Sequence, residues 1–163
     1  MAWKMKVLNF EGAPPASLCR DPKPLGSRGE VIALIKQALP ELSWDPGTIS
    51  AEVLEEFPPD VRSFLSVPRP SAEYAGHNFS MRLSGFELEF VDWLYVELEG
   101  DGDSLAFLNR LCAPNRWSVY SLDDDTLVDL SVPSAAQWEY FRTWRNRFAI
   151  SEQPQKRVRY ELW

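Results

Sequence analysis

The residues best suited to chemistry in this chain are carboxylates gathered at turns. Asp101-Gly102-Asp103 follows an apolar run and has the D-x-D spacing at which two carboxylates can hold a divalent ion against a nucleotide sugar. A tight reversal explains the same residues more simply, because Gly100 and Gly102 permit the turn and Asp103 is placed to cap the helix that follows. A chain of 163 residues has little room for a nucleotide-binding domain plus an acceptor site. A calcium loop is excluded too, since its third acidic ligand and terminal glutamate are missing at the required spacing. Asp123-Asp124-Asp125 is a second cluster, but three consecutive side chains in a turn diverge, which suits a solvated hairpin tip better than a coordination shell.

His77 is the single histidine. That excludes a multi-histidine zinc or iron site and leaves one imidazole that could serve as base for a serine or a cysteine. It lies between Gly76 and Asn78, where a loop passes into a strand, and an exposed histidine is the common occupant of such a place. Cys112 falls on the apolar side of a helical pattern, which predicts a buried, inert thiol, and Cys19 has no spacing partner for a disulfide. Neither a P-loop nor a G-x-G-x-x-G occurs. No metal and no cofactor are expected.

The elements that must position these residues are clearest from Val91 to Ser131. Leu94, Val96 and Leu98 alternate with Tyr95, Glu97 and Glu99 as a strand does. The glycine turn then leads to a helix over Ser104 to Cys112, with Leu105, Leu108, Leu111 and Cys112 on one side and Pro114 as its stop. Trp117 to Leu122 reads as the next strand, and the three aspartates turn it into a short partner over Thr126 to Leu130. Upstream, Lys4 to Phe10 reads as a strand. Ser27-Arg28-Gly29-Glu30 has capping-box spacing and opens a helix that runs to about Leu39, stopped by Pro40. Phe79, Met81 and Leu83 alternate as a strand antiparallel to Leu94–Leu98, while Gly85 to Asp92 fits either a long hairpin or a broad turn. Residues 41–75 carry five prolines and read as an insertion with helical patches near Ser50–Phe57 and Asp60–Leu65.

This order predicts a single α+β domain over residues 1–163. Its expected form is a two-layer sandwich of a mostly antiparallel sheet with helices on one face, the ferredoxin-like (split βαβ) arrangement being the simplest closure. A C-terminal basic extension, residues 132–163, adds a helix from Ser134 to about Phe148. Trp138, Tyr140, Phe141, Trp144 and Phe148 form its stripe, and Arg142, Arg145 and Arg147 lie largely off it. The apolar runs are too short for a membrane span and the start lacks a signal-peptide core, so a soluble cytoplasmic protein is expected.

Net charge is -7, and the sequence pI is near 4.8. An acidic body disfavours nucleic acid, whose affinity rests on neutralising phosphates. From Trp138 onward, however, six basic residues face three acidic ones, leaving the remainder more acidic still.

The run VDWLYVELEGDGDSLAFLNRLCAPNRWSVYSLDDDTLVDLS, with Pro24-Leu25-Gly26-Ser27-Arg28, Pro40 and Leu42-Ser43-Trp44 before it, resembles a group of small uncharacterised bacterial proteins. These share a PLG-x-R helix, a D-W patch, a G-x-G-D turn, a helix ending in L-C, an N-x-W strand and an acidic hairpin. The resemblance covers about residues 24–131. It implies immunity or accessory proteins of bacterial toxin systems and carries no catalytic residue with it. The expected function is therefore a non-enzymatic protein-binding module, an immunity-type inhibitor that occludes a basic toxin. Asp101, Asp103, Asp123, Asp124 and Asp125 would make the face, supported by Glu97 and Glu99, with Trp44 or Trp93 as anchors. The alternatives are a small hydrolase or transferase using His77 with a carboxylate, and an RNA-binding accessory protein using the arginine-rich tail.

Overall fold

The computed structural model describes residues 2–100 and 102–131, together with Ala136, Glu139, Arg142 and Thr143. In chain order the elements are β1 (Trp3–Leu8), β2 (Gly26–Ser27), α1 (Arg28–Ala38), β3 (Ser43–Asp45), α2 (Ala51–Glu55) and α3 (Pro59–Leu65). They continue with β4 (Ser71–Ala75), β5 (Phe79–Ser84), β6 (Phe90–Val91), β7 (Leu94–Gly100), α4 (Ser104–Asn115) and β8 (Ser118–Ser121). No helix among the described residues is long and apolar enough to cross a membrane.

Among the described residues, six strands form one antiparallel sheet in the order β3-β4-β5-β7-β1-β8. The inner order β8-β1-β7-β5 is that of a split βαβ unit, in which β1 lies between the strands on either side of α4. It follows from the pairing Met5↔Val96 on one side of β1 and Val7↔Val119 on the other. β4 and β3 widen the sheet beyond β5. One face carries Met5, Val7, Met81, Leu83, Leu94, Val96, Leu98 and Val119, and with Val31 and Ile35 of α1 and Leu105, Leu108, Leu111 and Cys112 of α4 these form the main core. Removing that much apolar surface from water, at about 25 cal/mol per Å², is what holds helices to sheet.

Local chemistry fixes the helix ends. Ser27 Oγ accepts from the Glu30 N–H at 3.3 Å while the Glu30 carboxylate accepts from the Ser27 N–H at 3.1 Å, and hydrogen bonding to the Ser27 side chain and backbone holds the Glu30 carboxyl below the ordinary carboxylate range. Pro114 does not stop α4 but sits in its last turn. Termination comes after it, with Arg116 in the left-handed region (φ 56°) and the Trp117 N–H returning to the Cys112 carbonyl at 3.0 Å. Arg110 joins the two helices. Its guanidinium donates to both Glu41 carboxylate oxygens, at 2.8 and 3.3 Å, and to the Ala38 carbonyl at 2.9 Å.

Three expectations are corrected. The insertion is shorter than 41–75, because Ser43–Asp45 and Ser71–Ala75 are strands paired through Trp44↔Ala72, and only the residues between them leave the sheet. Gly85 to Asp92 is neither hairpin nor simple turn. Phe86 is buried, Phe90–Val91 pairs with Gly26–Ser27, and the Arg28 N–H bonds the Glu89 carbonyl at 2.8 Å, so the segment docks on the start of α1. Thr126–Leu130 is not a regular strand. It returns along β8 through single bridges, with the Ser121 N–H on the Thr126 carbonyl at 2.9 Å and the Val128 N–H on the Val119 carbonyl at 2.7 Å. The expected helix over Ser134 to Phe148 falls almost wholly outside the described residues.

Candidate functional site

Strand direction sorts every loop to one of two ends of the sheet. The β4–β5 turn (76–78), the β7–α4 turn (100–103), the start of β1 and the β8 turn (122–125) share one end, which is the acidic one. The second end carries residues 46–70, the 85–93 segment and the end of β1.

At the acidic end the first two turns are locked together through backbone. The Gly102 N–H donates to the Asn78 carbonyl at 3.0 Å, and Gly100 lies against that same carbonyl. Asp103 occupies the N-cap position of α4 without making the side-chain cap bond expected of it. Asp101 is outside the described residues. The third turn is two strands away, about 10 Å at the usual strand spacing. There Asp124 Oδ1 accepts from the Thr126 N–H (3.3 Å) and hydroxyl (2.8 Å), the Asp123 N–H donates to Ser121 Oγ, and Asp125 takes φ 56°. Partial burial and the neighbouring Asp124 raise the Asp123 carboxyl above its ordinary value, against the opposing pull of Lys4. The turns therefore bring Asp103 and Asp123–Asp125 to one end of the sheet.

The supporting residues divide. Glu97 and Glu99 are on the open face of the sheet, turned away from the helices. Glu97 lies in a cross-strand row Glu73, Arg82, Glu97, Lys4 in which the charges alternate, and Arg82 Nε is 3.3 Å from Glu73. Glu97 thus has a cation on each side, and net negative charge at this end comes chiefly from the turns and Glu99. A hollow of about 240 Å³ on this face is lined by Glu73, Arg82, Glu97 and Glu99 among others. Lys4 and Arg82 become neighbours of Glu97 only through strand pairing. Alternation showed which way they point, but only register shows what stands beside them.

The two tryptophans proposed as anchors are not at the acidic end. Trp44 is half-buried on the helix-facing side of the edge strand, with its ring 5.5 Å from that of Phe86 and Lys36 Nζ 5.4 Å from its centroid. Trp93 is at the opposite end, 37% exposed, stacked edge-on to Tyr95 with Lys6 Nζ 4.8 Å away.

His77 is exposed at the β4–β5 turn, beside the turn that carries Asp103. Cys112 is fully buried in the main core, where desolvation pushes its thiol up to about 12. At neutral pH it has essentially no thiolate and cannot serve as nucleophile. Among the described residues, no group of three or more His, Cys, Asp and Glu side chains could hold a metal ion. Of the aromatic and arginine residues of the C-terminal extension, only Arg142 is among the described residues.

Burial of one thiol and exposure of the other gives a direct expectation. A dithiobis-nitrobenzoate assay should titrate one thiol per native chain, Cys19, and two in denaturant. Rapid modification of both without denaturant would mean that Cys112 is not in the core. Comparison with family models, curated proteins and solved structures finds no match to this chain.

Proposed function

We infer that this chain is a non-enzymatic protein-binding module, most concretely an immunity-type inhibitor that acts in the cytoplasm by covering the basic cleft of a bacterial toxin. The observation that carries the reading is the sharing of one sheet end by the Asp103 and Asp123–Asp125 turns. The first is fixed by the Gly102–Asn78 bond and the second by the Asp124–Thr126 bonds. Carboxylates held on rigid turns attract a basic surface with little ordering to be done on binding, and their long-range field raises the encounter rate more than the final affinity.

The test replaces Asp101, Asp103, Asp123, Asp124 and Asp125 by asparagine and measures association with the product of any toxin gene found beside this one, in catalytically inactive form. Folding should survive. Asparagine keeps the acceptor that Asp124 offers Thr126, tolerates the left-handed backbone at 125, and at 123 removes an ionisation that local burial opposes. With its folded value raised, the Asp123 carboxyl favours the fold at low pH and loses that contribution as pH rises through the folded value. Association should slow about tenfold or more at low salt, and the difference should shrink as salt rises because exposed charges are screened over about 8 Å at physiological ionic strength. An unchanged rate and salt slope would reduce these turns to ordinary solvated loops, and the lack of a toxin gene beside this one would remove the immunity reading.

A further inference from the structure

The connection between β3 and β4 is a built arm. Its neck closes where the Gly47 N–H donates to Asp45 Oδ1 at 2.8 Å and the Arg69 N–H donates to the Gly47 carbonyl at 3.1 Å. Gly47 has φ 64°, and a Cβ there would lie 1.9 Å from the Arg69 carbonyl oxygen, so the two sides of the neck meet as closely as backbones can. Within the arm, Ser50 caps α2, Pro59 opens α3, and Arg62 donates to the Phe57 and Glu55 carbonyls, the latter at 2.9 Å, tying one helix to the end of the other.

Each short helix carries two sets of apolar residues. Leu54, Val61 and Leu65 are half-buried. The second set is exposed. Ile49, Val53 and Phe57 recur every four residues through α2 and its flanks, and Phe64 on α3 and Val67 just beyond it follow with 62% and 44% exposure. These are five of the ten exposed large hydrophobic residues among those described, concentrated in residues 49–67. Neither helix has a buried residue. A folded, neck-closed element that keeps this much apolar surface in water is the signature of an interaction site.

Charge selects the occupant. Glu52, Glu55, Glu56 and Asp60 belong to the same two helices and their junction, and the ion pairs formed among the described residues lie elsewhere. Both arginines of the arm are committed, Arg62 to the carbonyls and Arg69 over the Phe64 ring at 4.3 Å. A second copy of the arm would bring like charges together, and an anionic lipid surface would meet the same repulsion. We propose that the α2–α3 arm is a docking site for an amphipathic helix of another protein, its apolar face laid on Val53, Phe57 and Phe64 and its flanking lysines or arginines paired with Glu52, Glu55, Glu56 and Asp60. The site is at the opposite end of the sheet from the acidic turns, about 17 Å away along β5, and does not depend on the function assigned to those turns.

The experiment uses the full chain and a fluorescein-labelled 18-residue peptide with leucines along one helical face and lysines along the other, read by fluorescence anisotropy. The native chain should bind it. V53S/F64S should weaken binding at least about tenfold, since truncating central apolar anchors has that effect. E52Q/E55Q/E56Q/D60N should weaken it at low salt and flatten its salt dependence, and asparagine at the acidic turns should leave it unchanged. Val53 and Phe64 are exposed, so far-UV circular dichroism and melting temperature should stay native, and Val53→Ser alone is the milder check. The proposal is overturned by equal binding of a scrambled peptide of the same composition, or by V53S/F64S binding as well as the native chain. It is overturned equally if sedimentation shows that V53S/F64S abolishes a dimer, or if arm-dependent binding is to phosphatidylserine vesicles instead.

Discussion

Phe86→Ala should lower the unfolding free energy by about 3–5 kcal/mol, the usual cost of deleting a buried phenylalanine and leaving its cavity. Phe86 is wholly shielded from solvent and its ring is 5.5 Å from that of Trp44, so the cavity would open between the edge strand and the helix layer. A domain with about 5–15 kcal/mol in hand would lose a large share of it. Leu88→Ala, two residues on, is the matched control: Leu88 is 64% exposed and its loss should stay within about 0.5 kcal/mol. Urea denaturation of both variants measures the difference. A cost below about 1 kcal/mol for Phe86→Ala would mean that the 85–93 segment is not part of the core.

Gly100→Ala should be the most disruptive small change at the acidic end. Gly100 has φ 99°, where a side chain is strained by about 1–3 kcal/mol before any contact is considered. A Cβ there would also lie 2.3 Å from the Asn78 carbonyl oxygen and 2.8 Å from the Phe79 Cα. Both obstacles are backbone, so no rotamer change relieves them and the end of β7 must move off β5. Two readouts follow. The melting temperature should fall by several degrees, at about 2–4 °C per kcal/mol for a chain of this size, and the Gly102 N–H should lose hydrogen-exchange protection as its bond to Asn78 opens. Gly29→Ala is the contrast. Gly29 lies within α1 with nothing near its would-be Cβ, so alanine there should stabilise by about 0.5–1 kcal/mol. A native-like melting temperature for Gly100→Ala would show that the two turns are not locked together.

The sequence by itself determined the elements whose causes are local. The Ser27–Glu30 capping box, the alternation in Met81–Leu83 and Leu94–Leu98, the glycine turn before α4 and the inert position of Cys112 each depend on a few neighbouring residues, and each stands in the structure where the pattern placed it. The split βαβ arrangement was legible as the simplest closure, because crossover handedness favours it, while the strand order itself comes from the pairing.

Only the tertiary structure decided what depends on residues distant in the chain. Phe86, Leu88 and Phe90 form one alternating series, yet Phe86 is core and the other two are exposed, because Val91 pairs with Gly26 and turns the segment onto α1. Trp93 and the acidic turns are close in sequence and lie at opposite ends of one strand, since β7 runs between them for seven residues. Pairing register likewise sets Glu97 between Lys4 and Arg82, from positions 93 and 15 residues away in the chain. Local spacing reports which face of an element a side chain takes. Which neighbours meet it there, and so whether a carboxylate is paired or free and an aromatic ring buried or offered to a partner, is settled by the pairing of strands that only the folded chain brings together.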